Sequence, residues 1–516
     1  MLEHQSPNES SALLLPPTSP SSHNLKSILL LVVVGFFWVS GGIYGSEELV
    51  SAAPPAIVMV WTAGAAVLFA LPNALMTAEL SSTFPVSGGQ VAWVSMACGA
   101  GVGGQNGYWV WLTNLLDAAV YPQMAARYLS GALPLARGES ELVEQVVCLG
   151  VIVCACAVNL FGLDCVAATQ SVAFVASLVP CLLFAMIGLP RVDLAPLADT
   201  DGAIDFALLV SWTVWLYSGF SSLGTMAGEV ANPQLTYPAV VAILLPLVTI
   251  LNLLPFAVAL SLDADRTHYQ AGYFATLAGQ LAGPWLHTLF AIGANVSLLG
   301  LYHSQMLAAE RALVAWGEST LVPHGWTIGI RAPPPEQTDD SPASTSMSAP
   351  TPPLPKRRRG HLRRWLLDTP GGGSIVPRVN TLANAMCAAA LTRLHYTFIV
   401  EVEMMLYSTS HILFLYSFTA LRWQQPNATR PFRLPGGIAA VAAYSLPPLC
   451  VCGTVIAANL RRWEPTSAYA TIVLVGGLSH AIARYLVGRP RAGDAPTVDV
   501  SHDVSSHGRT LYNRVT

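Results

Sequence analysis

Charged residues are scarce in this chain. Only 10% of its 516 residues are Asp, Glu, Lys or Arg, whereas 53% are hydrophobic, and soluble domains carry about 25% charged residues. This shortage excludes an ordinary soluble globular protein. Apolar stretches long enough to cross a hydrocarbon core of about 30 Å recur along the chain, and about twelve such spans are predicted. The predicted fold class is therefore an all-α integral membrane protein.

Long polar segments are also rare, and only one internal connection is long. The predicted organisation is a disordered tail at 1–27, spans 1–8 within 28–310, a Pro- and Ser-rich basic loop at 311–378, spans 9–12 within 379–487 and a second tail at 488–516. A loop so poor in apolar residues cannot build a hydrophobic core. No separate soluble catalytic domain is therefore expected.

Constellations typical of enzymes and metal proteins are missing as well. Ser, His and acidic residues show no paired catalytic spacing, and the nine cysteines lie almost entirely in apolar spans, where they behave as small core residues. Cys154 and Cys156 are two residues apart, as are Cys450 and Cys452, so each pair points to different faces of a helix. The sequence predicts no enzyme, catalytic residue, metal or cofactor.

A cleavable signal is not expected at the N-terminus, because residues 1–22 are polar and rich in proline. Most Lys and Arg residues, including the run Lys356–Arg359, fall in loops and tails that are internal if the N-terminus is internal. Basic residues favour the cytoplasmic side of a membrane. We therefore expect both termini in the cytoplasm and the protein in the plasma membrane.

Basic residues and histidine are absent from the whole stretch between Lys26 and Arg127. That stretch nevertheless places Glu47, Glu48, Glu79 and Asp117 in or beside three membrane spans. An ionisable residue in a membrane costs about 2.5–3.5 kcal/mol on insertion scales, so its default interpretation is functional. Acids without local bases predict an external cation, such as an amine or a proton.

Glycine interrupts two of the apolar spans. Span 1 carries three glycines within residues 40–45, and span 6 carries a similar interruption at 215–224. Unwound backbone at membrane depth is tolerated only where it lines a polar cavity. Because the two breaks are five spans apart, the second half would enter the membrane from the opposite side, which is the inverted-repeat plan of many secondary transporters.

Several short motifs resemble a known family. The motifs are residues 40–48, 71–80, 84–89, 117–122, 227–233 and 430–435. Together they resemble the amino acid, polyamine and organocation transporter superfamily, and within it the polyamine-uptake branch of plants and protozoa. The resemblance implies about twelve transmembrane helices in a five-plus-five inverted repeat, with broken helices 1 and 6. It also implies that substrate lies between spans 1 and 6 and against spans 3, 8 and 10.

The candidate substrate site combines acids, aromatic rings and the two breaks. Asp117 and Tyr121 are four residues apart, so one helix face offers a carboxylate and a ring for an ammonium group. The proton-coupling candidates are Glu47 and Asp117, and Glu79 and Glu229 are predicted to be structural or part of an inner gate. The predicted substrate-binding residues are Gly41, Gly42, Ile43, Tyr44, Gly45, Glu47, Asp117, Tyr121, Trp215, Phe220, Ser221, Ser222 and Tyr407.

The sequence therefore predicts a secondary active transporter that imports polyamines such as putrescine or spermidine by proton symport and alternating access. Its expected partners are a small cation, protons and the lipid bilayer, and no nucleic acid. A transporter for cationic or neutral amino acids is an alternative, because helix ends at the breaks suit a carboxylate and an ammonium group. A nutrient receptor on a transporter fold is a further alternative, because the basic loop could bind a signalling partner.

Overall fold

The computed structural model describes residues 22–132, 141–160, 163–230, 232–318 and 378–487. The predicted tails and most of the predicted 311–378 loop lie outside these residues. Every regular element within them is helical, and the helices form twelve consecutive membrane segments, here called spans 1–12. Span 1 is Ser22–Val39 with Glu47–Ser51, span 2 is Pro55–Ala65, Ala66–Ala70 and Leu71–Thr83, and span 3 is Gln90–Cys98 with Ala100–Ala132. Span 4 is Glu141–Leu160, span 5 is Leu163–Gly188, span 6 is Phe206–Tyr217 with Ser218–Met226, and span 7 is Pro233–Leu262. Span 8 is Tyr273–Ala282 with Pro284–Glu318, span 9 is Arg378–Leu391, span 10 is Tyr396–Gln424, span 11 is Ile438–Asn459, and span 12 is Trp463–Val487.

The outer surface of this helical body is apolar. Large hydrophobic side chains such as Val60, Val172, Met186 and Leu474 are mostly exposed. Seven of the helical segments are long and apolar enough to cross a membrane by length and composition, and shorter apolar helices lie at 27–39 and 144–160. A helix satisfies its own backbone hydrogen bonds, so these surfaces suit hydrocarbon. The all-α membrane fold predicted from composition is confirmed.

Some helix ends differ from the sequence prediction. Span 8 continues to Glu318, past the expected end at 310, and span 10 begins at Tyr396. His395 caps span 10, because its Nδ1 accepts a hydrogen bond from the backbone N–H of Thr397. Span 2 contains a π-helical turn at Ala66–Ala70 directly before Pro72. Proline has no N–H and clashes with the carbonyl four residues earlier, which accounts for the wider turn.

Spans 1 to 4 each pack against the span five positions later in the chain. Span 1 contacts span 6, span 2 contacts span 7, span 4 contacts span 9, and spans 3 and 8 share the most extensive interface. This pairing agrees with the five-plus-five inverted repeat. Span 10 packs against spans 3, 6 and 11, so it closes the same central region.

Charged clusters lie at the two ends of span 10. At one end, Arg462 forms ion pairs with Glu401 and Asp205, and Asp205 also caps span 6 by accepting from the Leu208 N–H. At the other end, Arg422 pairs with Glu79. The helix between Glu401 and Arg422 is about 30 Å long at 1.5 Å per residue, the thickness of a hydrocarbon core.

Candidate substrate site

The first helix break forms where three glycines adopt conformations that other residues avoid. Gly41, Gly42 and Gly45 have φ angles of 64°, 101° and 83°. Neighbouring spans also approach closely, since a Cβ on Gly41 would lie 2.7 Å from Leu301 Cδ1, and one on Gly45 would lie 2.5 Å from Met124 Sδ. Only glycine fits these positions. The α-helix of span 1 therefore stops at Val39 and resumes at Glu47.

The second break is tighter than the sequence predicts. The α-helix of span 6 ends at Tyr217, and Ser218–Met226 continues as a 3₁₀-helix instead of unwinding. Two carbonyls of this segment accept hydrogen bonds from other spans: Ser218 O from Tyr407 Oη at 2.9 Å, and Leu223 O from Tyr237 Oη at 2.8 Å. The change of helix type therefore leaves backbone acceptors available to side chains in the membrane.

The two breaks meet, as predicted. A Cβ added to Gly219 would lie 1.9 Å from the carbonyl oxygen of Trp38, which is the penultimate residue of the first helix of span 1. This approach brings the interruptions of spans 1 and 6 into direct contact. On the other side of the first break, Ser297 of span 8 donates its hydroxyl hydrogen to the Gly41 carbonyl at 2.5 Å.

Asp117 lies on span 3 against this junction and is 5% exposed. Its Oδ2 accepts a hydrogen bond from the Tyr121 hydroxyl at 2.7 Å, and its Oδ1 accepts one from Trp215 Nε1 at 2.9 Å. The spacing argument correctly places Tyr121 on the face of Asp117. Each carboxylate oxygen thus has a neutral donor, which leaves the negative charge without a countercharge from these two partners.

A small cavity adjoins Asp117. Its volume is about 10 Å³, the space of roughly one water molecule. The cavity is bordered by parts of both breaks and by the acid, and it is too small for an organic ligand. Its lining residues are Trp38, Val39, Ser40, Asp117, Tyr121, Trp215, Ser218 and Leu301.

Span 10 contributes Tyr407, the predicted aromatic residue, beside the second break. Besides its bond to Ser218 O, the Tyr407 hydroxyl interacts with the Ser221 side chain. Ser221 is buried, Ser222 is partly exposed, and Phe220 is fully buried in the hydrophobic core. The structure thus brings Tyr407 and Ser221 together, whereas Phe220 packs in the core.

The acids at the start of the second helix of span 1 have other partners. Glu47 is fully buried and accepts hydrogen bonds from the Tyr128 hydroxyl and, at 3.0 Å, from the Gly272 N–H. Glu48 accepts one from the Tyr396 hydroxyl. None of these residues lines the cavity beside Asp117. Glu47 and Asp117 therefore occupy separate places in the structure.

Other residues of the first break also contact spans outside the cavity. The Tyr44 hydroxyl donates to the Ser177 carbonyl of span 5 at 2.7 Å. Ile43 is fully buried, and its carbonyl accepts from the Ser46 hydroxyl. Neither side chain lines the cavity, so both support the shape of the break.

The loop that carries Gly272 lies outside the membrane spans and is stabilised by hydrogen bonds between its own residues. His268 Nδ1 and Asp263 Oδ2 are 2.7 Å apart, and this hydrogen bond raises the pKa of His268. Tyr269 also donates its hydroxyl hydrogen to the Asp263 carbonyl at 2.7 Å. These contacts fix the segment that places Gly272 over Glu47.

Glu79 and Glu229 form ion pairs away from the cavity. Both carboxylate oxygens of Glu79 accept from Arg422, at 2.6 and 2.5 Å, and Oε2 also accepts from the Leu434 N–H at 2.8 Å. Glu229 pairs with Arg311 at 2.8 Å. The expectation that Glu79 lacks a base was wrong, because span 10 supplies one that is distant in sequence.

The sequence analysis did not identify the buried acids Glu310, Glu401 and Glu403, of which Glu403 of span 10 lies near Asp117. Glu403 is 2% exposed, and its carboxylate acts electrostatically on Asp117. The signal was present in the sequence, since Glu401 and Glu403 both lie within an apolar span. Glu401 is paired with Arg462, whereas Glu403 is not.

Comparisons with known proteins agree with this geometry. Residues 29–327 match the family model described as amino acid permease. The chain is 28% identical over 426 residues to Polyamine transporter PUT1 of Oryza sativa subsp. japonica, covering 82% of this chain and 72% of that protein. It is 26% identical over 428 residues to Polyamine transporter RMV1 of Arabidopsis thaliana, covering 82% and 78%. It is 21% identical over 265 residues to Serine/threonine exchanger SteT of Bacillus subtilis (strain 168), covering 50% and 59%.

These proteins are transporters and not enzymes, and the plant matches confirm the resemblance to the polyamine-uptake branch of the superfamily. The family match covers more than half of the chain and includes both helix breaks and Asp117. The chain belongs to the amino acid permease family and is a multi-pass membrane transporter.

Proposed function

We propose that this transporter imports polyamines by alternating access. The observation that carries the proposal is the buried carboxylate of Asp117, which lines a small cavity between the two helix breaks and whose hydrogen-bond donors among the described residues, Tyr121 and Trp215, are neutral. A charge at such a depth is costly without a counterion. An ammonium group supplies that countercharge, and the rings of Tyr121 and Trp215 can add cation–π attraction. The names of the plant relatives support the same substrate class.

Alternating access is proposed from the position of the site. The breaks of spans 1 and 6 meet at the cavity, and the cavity is too small for a diamine. Loading therefore requires one group of spans to move relative to the other. Such motion around a fixed midplane site is the usual mechanism of transporters with inverted repeats.

Proton symport is the proposed coupling, with Glu47 or Asp117 as the residue that exchanges the proton. The membrane potential also drives import, because a divalent amine gains about 4.6 kcal/mol at 100 mV. We propose the plasma membrane as the location, with both termini in the cytoplasm. Symport would be contradicted by putrescine uptake that is unaffected by a pH gradient at clamped voltage.

The test is uptake of radiolabelled putrescine and spermidine by purified protein in proteoliposomes. We expect Asp117→Asn to reduce putrescine uptake by more than about tenfold, because one lost charged contact of 1.5–3 kcal/mol has at least that effect. Tyr416→Phe is a suitable control, since this tyrosine of span 10 is mostly exposed on the apolar surface. Near-normal uptake by the Asp117 variant would overturn the proposed site.

Amino-acid transport is the second candidate. It is favoured by the family match and by backbone carbonyls at the second break that bond to side chains, such as that of Ser218, whose second lone pair can receive an α-ammonium group. Competition separates the two functions. Complete inhibition of uptake by excess arginine, without any effect of putrescine, would establish the amino-acid carrier. Ligand binding without uptake in the same vesicles would instead indicate a receptor.

A further inference from the structure

Glu403 is a buried acid whose hydrogen bonding is incomplete. The residue is 2% exposed, and its Oε2 atom has no hydrogen-bond partner within the described part of the chain. A buried carboxylate that lacks donors is costly. The buried acid Glu79 differs from Glu403, because Glu79 accepts hydrogen bonds from Arg422 and from the backbone N–H of Leu434.

Glu403 lies on span 10 near Asp117, although it does not line the small cavity itself. Spans 3 and 10 pack together, and the carboxylates of Asp117 and Glu403 repel each other. Tyr121 connects them, because it donates to Asp117 and also experiences the charge of Glu403. One helical turn after Glu403, Tyr407 donates to the carbonyl of Ser218, a residue that lines the cavity. Glu403 of span 10 therefore lies near the junction of spans 3 and 6.

Several basic groups on neighbouring elements have other partners. Arg462 is paired with Glu401 and Asp205, and Arg422 with Glu79. The guanidinium of Arg127 lies 4.8 Å from the centre of the Tyr396 ring, and His411 Nε2 is 2.8 Å from Asn73 Oδ1. A cationic ligand would supply the countercharge for Asp117 and Glu403.

We propose that Glu403 is the second anionic subsite beside this cavity and binds one ammonium group of a diamine whose other ammonium group is bound by Asp117. This inference rests on the proposed polyamine transport. Two carboxylates in a region of low dielectric are best neutralised by two positive charges. A diamine provides both charges, a monoamine provides one, and an amino acid adds a carboxylate that both acids repel. Glu403 is therefore the residue that selects dications over monocations and amino acids.

The experiment compares putrescine with n-butylamine, which has the same four-carbon chain and one amine. Uptake of radiolabelled putrescine into proteoliposomes gives the KM, and competition gives the inhibition constant of n-butylamine. In Glu403→Gln we expect the putrescine KM to rise at least about tenfold, as for loss of one charge-assisted hydrogen bond. The inhibition constant of n-butylamine should stay within about threefold of wild type, because its single ammonium group uses Asp117.

Two control variants accompany this measurement. Glu403→Asp retains the charge and should restore much of the preference for putrescine. Glu401→Gln changes an acid on the same helix that is paired with Arg462, so the ratio of the two constants should stay as in wild type. Thermal unfolding in detergent checks folding, and Glu403→Gln should be at least as stable as wild type without substrate, because it removes a buried like charge.

An unchanged ratio of the two constants in Glu403→Gln would overturn the subsite, and so would an equal loss of putrescine and n-butylamine affinity. Absence of putrescine uptake and binding by the wild-type protein would instead refute the proposed function itself. The wild-type measurement therefore separates the two failures.

Discussion

At the scale of single residues, the partner of each buried acid decides its role. Glu79, Asp117 and Glu403 all lie on membrane spans and are all at least 95% buried. Among the residues that the structure describes, Glu79 has two arginines within 4 Å, Asp117 has two neutral ring donors, and Glu403 has an oxygen without a donor. Membrane depth alone gives the three acids the same expected cost, so only their contacts separate a structural acid from a ligand site.

The buried ion pair of Glu79 leads to a prediction about stability. Glu79→Gln leaves Arg422 buried with its charge uncompensated, and we expect a loss of about 3–5 kcal/mol in the free energy of unfolding. Thermal or denaturant unfolding of the purified protein in detergent measures this loss.

Glu229→Gln is the matched control for that stability measurement. The pair of Glu229 with Arg311 is partly exposed, so its removal should cost at most about 1 kcal/mol. Equal losses in the two variants would contradict the assignment of Glu79 as the stabilising acid.

At the scale of helices, the sequence predicted the positions of both breaks but the backbone conformation of only the first. Glycines at 41, 42 and 45 predict unwound backbone, and the structure has it. The sequence of span 6 offers the same signal, but Ser218–Met226 forms a 3₁₀-helix. In the structure, two carbonyls of this segment bond to tyrosines of other spans: Leu223 to Tyr237, 14 residues later, and Ser218 to Tyr407, 189 residues later.

The first break gives a prediction with an internal control. Gly41→Ala places a methyl group 2.7 Å from Leu301 in a left-handed conformation, so we expect loss of transport and a lower yield of folded protein. Gly64→Ala has no atom within 4 Å of its new Cβ and lies inside the helix Pro55–Ala65. This change should leave transport intact and stabilise the helix by about 0.5–1 kcal/mol. Size-exclusion profiles and uptake assays distinguish the two variants, and a fully active Gly41→Ala protein would contradict the role of the break.

At the scale of the whole molecule, charge is arranged by membrane side. Arg462, Asp205 and Glu401 lie at one end of span 10, and Glu79 and Arg422 lie at the other end. From the positive-inside rule we propose that the second end, with Arg430 and Arg433 in the following loop, faces the cytoplasm. The proposed orientation of the transporter therefore follows from its basic residues.

This orientation predicts which loops are accessible from outside. In a variant without the nine native cysteines, Asp201→Cys lies before span 6 and should react with a membrane-impermeant maleimide in intact cells. Asn427→Cys lies after span 10 and should react only after permeabilisation. Both positions are exposed, so accessibility reports the side of the membrane. Labelling of position 427 in intact cells would reverse the proposed topology.

The sequence by itself determined the membrane class, the helical fold with its two breaks, and the shared helix face of Asp117 and Tyr121. These features follow from local quantities: apolar length, glycine content and the spacing of residues on one helix. Only the tertiary structure decided which acids are neutralised. Arg422 reaches Glu79 across more than 300 residues of chain, and Glu403 approaches Asp117 from span 10. Electrostatic partners depend on distance in space, and local sequence patterns do not encode that distance.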